Sequence, residues 1–308
     1  MSSTLLQLVQ QVTNEIGNIA TPTYVVGNPN ADVTQIYALM NACGYELLRK
    51  ADWQQLTIPY TFFTQYLTTT GSYTTSSLTI TGLASTAGLT TGFMLGSSPF
   101  PNGTFITAVP PATSAGTVTI SNYPTTNGTN QTIYFQQVKY PLPNDYDAIV
   151  PRTQWDKSKH WEMLGPESAQ QWEWLLSGYI STGPRVRWRL FQGYFQIWPG
   201  FSNAEFLGFE YRSAGWALSA ASVNQNSFLA DTDTCIYPDR LMVLFCKYKY
   251  FSAKGLPTTT LYRDYQTELE TDIAQNVSGA NLSFAPRPGS ILIGYDNIPD
   301  SGYGPAGS

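Results

Sequence analysis

The middle of the sequence lacks charge: no Asp, Glu, Lys or Arg occurs between Asp52 and Lys139. Such a stretch can form no ion pairs and cannot hold phosphate by Coulomb attraction. The whole chain is also sparsely charged, with 12% Asp, Glu, Lys and Arg over 308 residues and a formal net charge of −5. It therefore has no basic footprint for gripping nucleic acid. Histidine is almost absent. The single His160, between Lys159 and Trp161, rules out a histidine pair for metal or a two-histidine proton shuttle, and its place beside Trp161 reads as structural. Cysteine is scarce and odd in number: Cys43, Cys235 and Cys246. Two of them fall at apolar positions of helical patterns, where a thiol acts as a small hydrophobe, so the set reads as reduced. No apolar run approaches bilayer length, and the opening "MSSTLLQLVQQVTNEIG" lacks the basic residues and unbroken apolar stretch of a signal peptide. The expectation is a chain made in a cytoplasm, with no membrane partner. No G-x-S-x-G, phosphate-binding loop or dinucleotide glycine fingerprint occurs. No catalytic residue, metal ligand or cofactor is assigned from motifs, and the chain reads as a non-enzyme.

Helical patterns stand at the two ends. Thr4 and Gln7 have capping-box spacing, Leu5, Leu8, Val9, Val12 and Ile16 share a face, and Gly17 supplies a stop. Asp32 and Gln35 repeat the start signal, followed by the stripe Ile36, Leu39, Met40, Cys43 and Leu47. A third helix is predicted from Pro166 through Trp172 and Leu176 to Ser177, and a fourth from Pro238 to a stop at Gly255. The fourth is apolar nearly all round, as the central helix of a bundle would be. The fifth, from about 260 to 277, should bury Tyr262, Tyr265, Leu269 and Ile273 and show Arg263, Asp264, Glu268, Glu270 and Asp272 outward.

Strand patterns fill the rest. "RVRWRLFQGYFQIWPG" alternates and turns at Gln192-Gly193, predicting a hairpin, and "EFLGFEYRSAGW" adds a strand with Leu207, Phe209 and Tyr211 on one face. The uncharged middle reads as short strands near 78–82, 90–95, 103–109, 116–121 and 131–136, the spacing of a sandwich or small barrel. "TIPYTFFTQY" before it and "IYFQQVKYPLP" after it are expected to pair, leaving the middle as a module inserted at a hairpin tip. The fold class is thus α+β: a helical bundle with a hairpin and small sheet, an inserted all-β module and an extended C-terminal tail. The expected boundaries are 1–66 and 138–278 for the two parts of the core, 67–137 for the insert and 279–308 for the tail.

Several residues are candidates for function. Asp145 with Asp147, and Asp231 with Asp233, could hold a divalent cation or serve as general acid and base, yet each pair sits among turn residues where Asp bonds local backbone. The turn reading is preferred. Arg185, Arg187 and Arg189 could touch phosphate, pair with Glu205 or Glu210, or meet the acidic helix of a neighbouring subunit. Contact between protomers is the preferred reading. The tail has repeated Pro and Gly and no helical period. Its clusters Leu282/Phe284 and Ile291/Ile293/Tyr295 are assigned to contact with a partner, because so little apolar content recovers the ordering entropy only against another surface.

The order "LLQLVQQVTNEIG", "ELLRKADWQQLT", "YPLPNDYDAIVP", "RWRLFQGYFQIWPG", "CIYPDRLMVLFCKYKYFSAKGL" and "LYRDYQTELE" resembles the head-to-tail adaptor proteins of short-tailed bacteriophages, the tail tubular protein A group of connectors. The resemblance covers about 1–66 and 138–278; compact members lack the uncharged insert. It implies a virion protein that forms a homo-oligomeric ring, commonly a dodecamer, between the portal protein and the tail nozzle protein. The tail would contact the portal or a neighbour, the insert would reach tail fibre or capsid, and genome DNA would pass through the lumen without specific binding. The alternative function is a carbohydrate-binding or depolymerising tail component that uses the β module and the paired aspartates.

Overall fold

A computed structural model describes residues 3–96, 98–110, 116–177 and 185–276. Its elements mix five α-helices with antiparallel sheets, so the chain is α+β. The helices are α1 (Leu5–Ile16), α2 (Ala31–Leu48), α3 (Ala169–Leu176), α4 (Asp239–Ala253) and α5 (Thr259–Asn276). Around Thr4 the capping box forms as expected: Gln7 N donates to Thr4 Oγ1 and Thr4 N donates to Gln7 Oε1. Gly17, with φ of 74°, takes the left-handed conformation that ends α1.

Two helix starts differ from the sequence reading. The cap of α2 is Asn30, whose Oδ1 accepts from Asp32 N. Asp32 is one residue inside the helix, its carboxylate occupied by Tyr250 Oη at 3.0 Å and Lys254 Nζ at 2.9 Å. Helix α3 begins after Ser168, not at Pro166, because Ser168 and Gln171 form their own capping box. The preceding residues are held extended beside the hairpin, with Glu167 N donating to Trp188 O.

Helix α4 packs against α1, α2 and α5. These elements share one core with Trp216, Phe228, Cys235 and Tyr237. Trp216 is fully buried and lies over Gly44 of α2, where even a Cβ would come within 2.2 Å of its ring. On α5, Tyr265 and Leu269 are buried and Ile273 packs against the core. Tyr262, expected inside, is exposed; it leans on Tyr248 at the rim of the core, 5.3 Å between centroids.

A second core lies under the sheets. Strands β1 (Thr57–Phe63), β9 (Tyr146–Ile149), β10 (Trp155–Asp156), β11 (Trp161–Glu162) and β14 (Phe206–Ser213) make a five-stranded sheet. Strands β8 (Lys139–Pro141), β12 (Arg187–Phe191) and β13 (Tyr194–Trp198) make a three-stranded one, and the predicted hairpin turns where expected, with Phe191 opposite Tyr194. A small sheet of β15 (Ala217–Leu218), β16 (Asn224–Gln225) and β17 (Thr234–Cys235) adjoins the helices.

The uncharged middle holds β2 (Tyr66–Tyr73), β3 (Thr79–Ile80), β4 (Phe93–Leu95), β5 (Ile106–Ala108), β6 (Val118–Ile120) and β7 (Gly128–Gln137). They form two three-stranded sheets, β2-β7-β4 and β3-β6-β5, over a third apolar cluster centred on Phe93, Phe135, Ile80 and Val118. The pairing of "TIPYTFFTQY" with "IYFQQVKYPLP" needs correction. Residues 57–63 pair with β14, from Thr57↔Arg212 to Phe63↔Phe206, and only from Tyr66 does the chain pair with β7, at Tyr66↔Gln136. The reason is side-chain matching across the first pair: Ile58, Tyr60 and Phe62 lie opposite Tyr211, Phe209 and Leu207 on the core face. Thr64 then breaks the strand, its Oγ1 donating to Asn203 O and accepting from Glu205 N, and the chain changes sheets.

Candidate functional site

The arginine stripe is largely engaged within the chain. Arg187 Nη1 meets Glu167 Oε1 at 2.5 Å, and the Glu167 carboxylate is almost wholly buried. Arg189 Nε donates to Gln196 Oε1 at 2.8 Å, and its guanidinium lies 4.4 Å from the Trp172 ring centroid and 4.5 Å from that of Phe191. Burial pulls the Arg189 pKa down and Glu173 offsets part of that shift. Arg185 is half-buried just ahead of β12. Glu205, weighed as a partner for the stripe, instead meets Lys159 at 3.2 Å and Asn203 Nδ2 at 2.8 Å. Glu167 is the partner that sequence spacing missed, because a parallel bridge between Leu164 and Arg187 brings it alongside the hairpin.

The paired aspartates are likewise engaged within the chain. Asp145 accepts from Tyr211 Oη at 2.9 Å and from Ser213 Oγ at 2.5 Å; burial, then this carboxylate, raises the Tyr211 pKa. Asp147 accepts from Arg212 Nε at 2.7 Å, and Arg212 also reaches Asp52. Asp231 accepts the amides of Val25 and Val26, and Asp233 those of Leu229 and Ala230. The turn reading holds for Asp233 alone, which bonds backbone close by in sequence; Asp145 and Asp147 instead meet side chains of β14, and Asp231 the amides of the loop before α2, because tertiary packing brings these distant donors to them. All three thiols are buried, and burial pushes the Cys235 pKa up to about 12, far from a reactive thiolate. Among the described residues no group of three or more His, Cys, Asp or Glu could hold a metal ion. No described helix is long and apolar enough to cross a membrane.

Charge on the helices is unevenly satisfied. The cations of α4 and its C-cap are paired within the chain: Arg240 and Lys247 with Glu15, Lys249 with Glu46, and the C-cap Lys254 with Asp32. On α5, by contrast, the described ion pairs reach only Asp264, at 3.9 Å from its neighbour Arg263. Glu268, Glu270 and Asp272 have none among the described residues. Burial, then the Glu268 charge, raises the Asp272 pKa, and Asp272 Oδ2 is enclosed without a hydrogen-bond partner among the described residues.

Among the described residues, the five-stranded sheet packs one face against a core. Its core face packs Tyr60, Phe62, Leu207, Phe209 and Tyr211. The register puts Pro59, Phe63, Phe206, Glu210 and Trp155 on the other face. Phe63 is 61% exposed, with its ring centroid 4.9 Å from that of Phe206. Beside them a cavity of about 570 Å³ is lined by Pro59, Trp155, Glu210, Arg152, Lys157 and His160. Arg152 and His160 adopt positive φ, 63° and 59°, uncommon for residues with a Cβ. Sequence reading had no signal for this surface, since outward strand positions were not paired to partners. The tail candidates Leu282, Phe284, Ile291, Ile293 and Tyr295 lie outside the described residues. No protein-family model matches the chain, and no curated protein matches it.

Proposed function

We propose that the chain is a structural connector of a phage particle: a protein that joins copies of itself into a ring between portal and tail nozzle, with DNA passing through. The observation that carries this reading is the outer sheet face, where Phe63 and Pro59 are exposed, Phe206 and Trp155 half-buried, and all four turned away from the core among the described residues. Antiparallel sheets commonly face water on one side, but with polar residues there. Aromatic side chains in that place suit a protein contact. The carboxylates Glu268 and Glu270 of α5, without an ion pair among the described residues, supply a second, unlike surface, and a closed ring of identical copies is built from two unlike surfaces that meet head to tail. The order of segments that resembles the tail tubular protein A group supports the same reading. So does the use of all four paired aspartates in hydrogen bonds within the chain, which favours the connector over a depolymerising component.

The insert would lie outside the ring wall and meet fibre or capsid, and the tail would dock on the portal. A cryo-electron-microscopy map of the virion at its portal vertex tests the reading. A ring of this chain between portal and nozzle is the expected result; density for it elsewhere in the particle contradicts the proposal.

A further inference from the structure

A second cavity, of about 360 Å³, opens where the insert meets the loop after β13, and no charged residue lines it. Tyr66 and Tyr134 stand at its rim, ring centroids 5.9 Å apart and planes within 16° of parallel, forming one aromatic ledge. Tyr134 is 42% exposed. Trp198, which is buried, the half-buried Gln136 and the exposed Asn102 and Ser202 complete the lining. The Gln136 amide is held between two glycines: a Cβ on Gly200 would come within 2.5 Å of its Oε1, and one on Gly96 within 3.1 Å. Nearby donors are engaged within the chain, Gln137 Nε2 donating to Lys139 O, Tyr140 Oη to Gln137 O and Asn122 Nδ2 to Thr104 Oγ1, while the buried Gln137 Oε1 has no partner among the described residues. The side chains of Gln136, Asn102, Tyr66, Tyr134 and Ser202 have no such partner among the described residues.

We infer that this cavity binds a neutral oligosaccharide, with Tyr134 and Tyr66 stacking on a sugar ring and the amides of Gln136 and Asn102 bonding its hydroxyls. The chemistry selects that class. A pyranose offers an apolar C–H face to an aromatic ring and hydroxyls that both donate and accept, which amides match in both senses. An anionic polymer would require cations and a cationic peptide carboxylates, and the cavity has neither. Glycine on both sides of Gln136 fixes its amide before binding, which lowers the ordering cost. The uncharged surface then has a use: it carries no fixed charge that would need desolvation when a neutral ligand arrives. The inference stands apart from the connector reading, since it needs neither a ring nor a portal.

The test is saturation-transfer NMR with calorimetry on the full chain, using maltohexaose, isomaltohexaose, cellohexaose, chitohexaose and rhamno-oligosaccharides, with heparin-derived hexasaccharide as the anionic comparison. Binding of at least one neutral hexasaccharide, and none of the anionic one, is expected. Tyr134→Ala should weaken that binding by about tenfold, as loss of one stacking contact would. Gly200→Ala, which displaces the Gln136 amide, should weaken it with the thermal transition still cooperative, so a failure to fold is separable from a loss of binding. Absence of binding across the neutral panel overturns the inference, as does binding that Tyr134→Ala and Gly200→Ala leave unchanged. So does protection of Tyr134 by another protein copy with no sugar effect, which would assign the ledge to a protein contact.

Discussion

The helical region and the insert hold themselves together by different means. In the helical region, α4 carries three cations and its C-cap Lys254 a fourth, and α1 and α2 supply the acids that meet them, around a core built on Trp216. Across residues 53–138 there is no charge to pair. There, hydroxyls and amides bond the backbone instead: Thr104 Oγ1 to Pro101 O, Thr125 Oγ1 to Pro99 O, and Thr75 N to Asn127 Oδ1. Neutral hydrogen bonds and apolar burial are nearly indifferent to pH and salt, whereas exposed ion pairs are not. One polypeptide therefore contains a region tuned by solution conditions and another that ignores them.

The sharpest way to separate the two regions is to damage one core. Trp216→Ala should cost about 4 to 5 kcal/mol in the helical region, because a fully buried indole leaves a cavity that Gly44 cannot fill. Hydrogen exchange should show α1, α2 and α4 amides losing protection while those of β2 and β7 keep theirs. A single merged loss would mean the regions unfold as one unit. The converse change, Phe135→Ala in the insert core, should cost about 3 to 4 kcal/mol, with β2 and β7 amides losing protection and the helices spared.

Smaller effects probe the charges. Burial works against ionisation of Glu15, but the hydrogen bonds and charges of Lys247 and Arg240 outweigh it and hold its pKa below the ordinary carboxylate range. Its contribution is thus present above the unfolded pKa and is lost as pH falls through the lowered folded value. Glu15→Gln should reduce stability by roughly 0.5 to 1 kcal/mol at pH 7, read by urea unfolding, and the difference from wild type should vanish below that folded pKa. Asp32, lowered first by its bond to Lys254, behaves in the same sense. Asp156 and Asp272, raised first by burial, act oppositely: what they contribute is present at low pH and fades as pH rises through their folded values. Smallest of all, raising salt from 0.1 to 1 M should weaken the helical region by a few tenths of a kcal/mol through screening of its surface pairs and leave insert protection unchanged.

What could be read from the sequence was what local spacing controls. The Thr4/Gln7 box, the stop at Gly17, the Gln192-Gly193 turn and the unbroken buried run Leu241–Cys246 of α4 all depend on residues within a few positions of one another. The misreadings were choices between nearby signals or between distant partners. Asn30 and Ser168 cap their helices because their oxygens reach free amides, while Asp32 is drawn to Lys254 and Pro166 lies before the first turn. β1 pairs with β14 although a closer stretch looked suitable, since matching of aromatic faces across about 150 residues has no local signature. The arginine stripe was visible as alternation, but Glu167 as partner and the Trp172 ring over Arg189 come from tertiary packing. The sugar-sized cavity was invisible for the same reason: Tyr66, Gln136 and Trp198 meet only after three strands have been laid down.

The central claim, that the chain works by joining copies of itself through two unlike surfaces, is tested most directly by mass photometry of the full chain mixed with purified portal. Wild type should yield a discrete ring-sized species, Phe63→Asp should abolish it, and Glu268→Lys with Glu270→Lys should reduce it, all three proteins unfolding as cooperatively as the parent. Wild type that stays monomeric with portal present, or a ring that forms equally well in all three, would contradict the account.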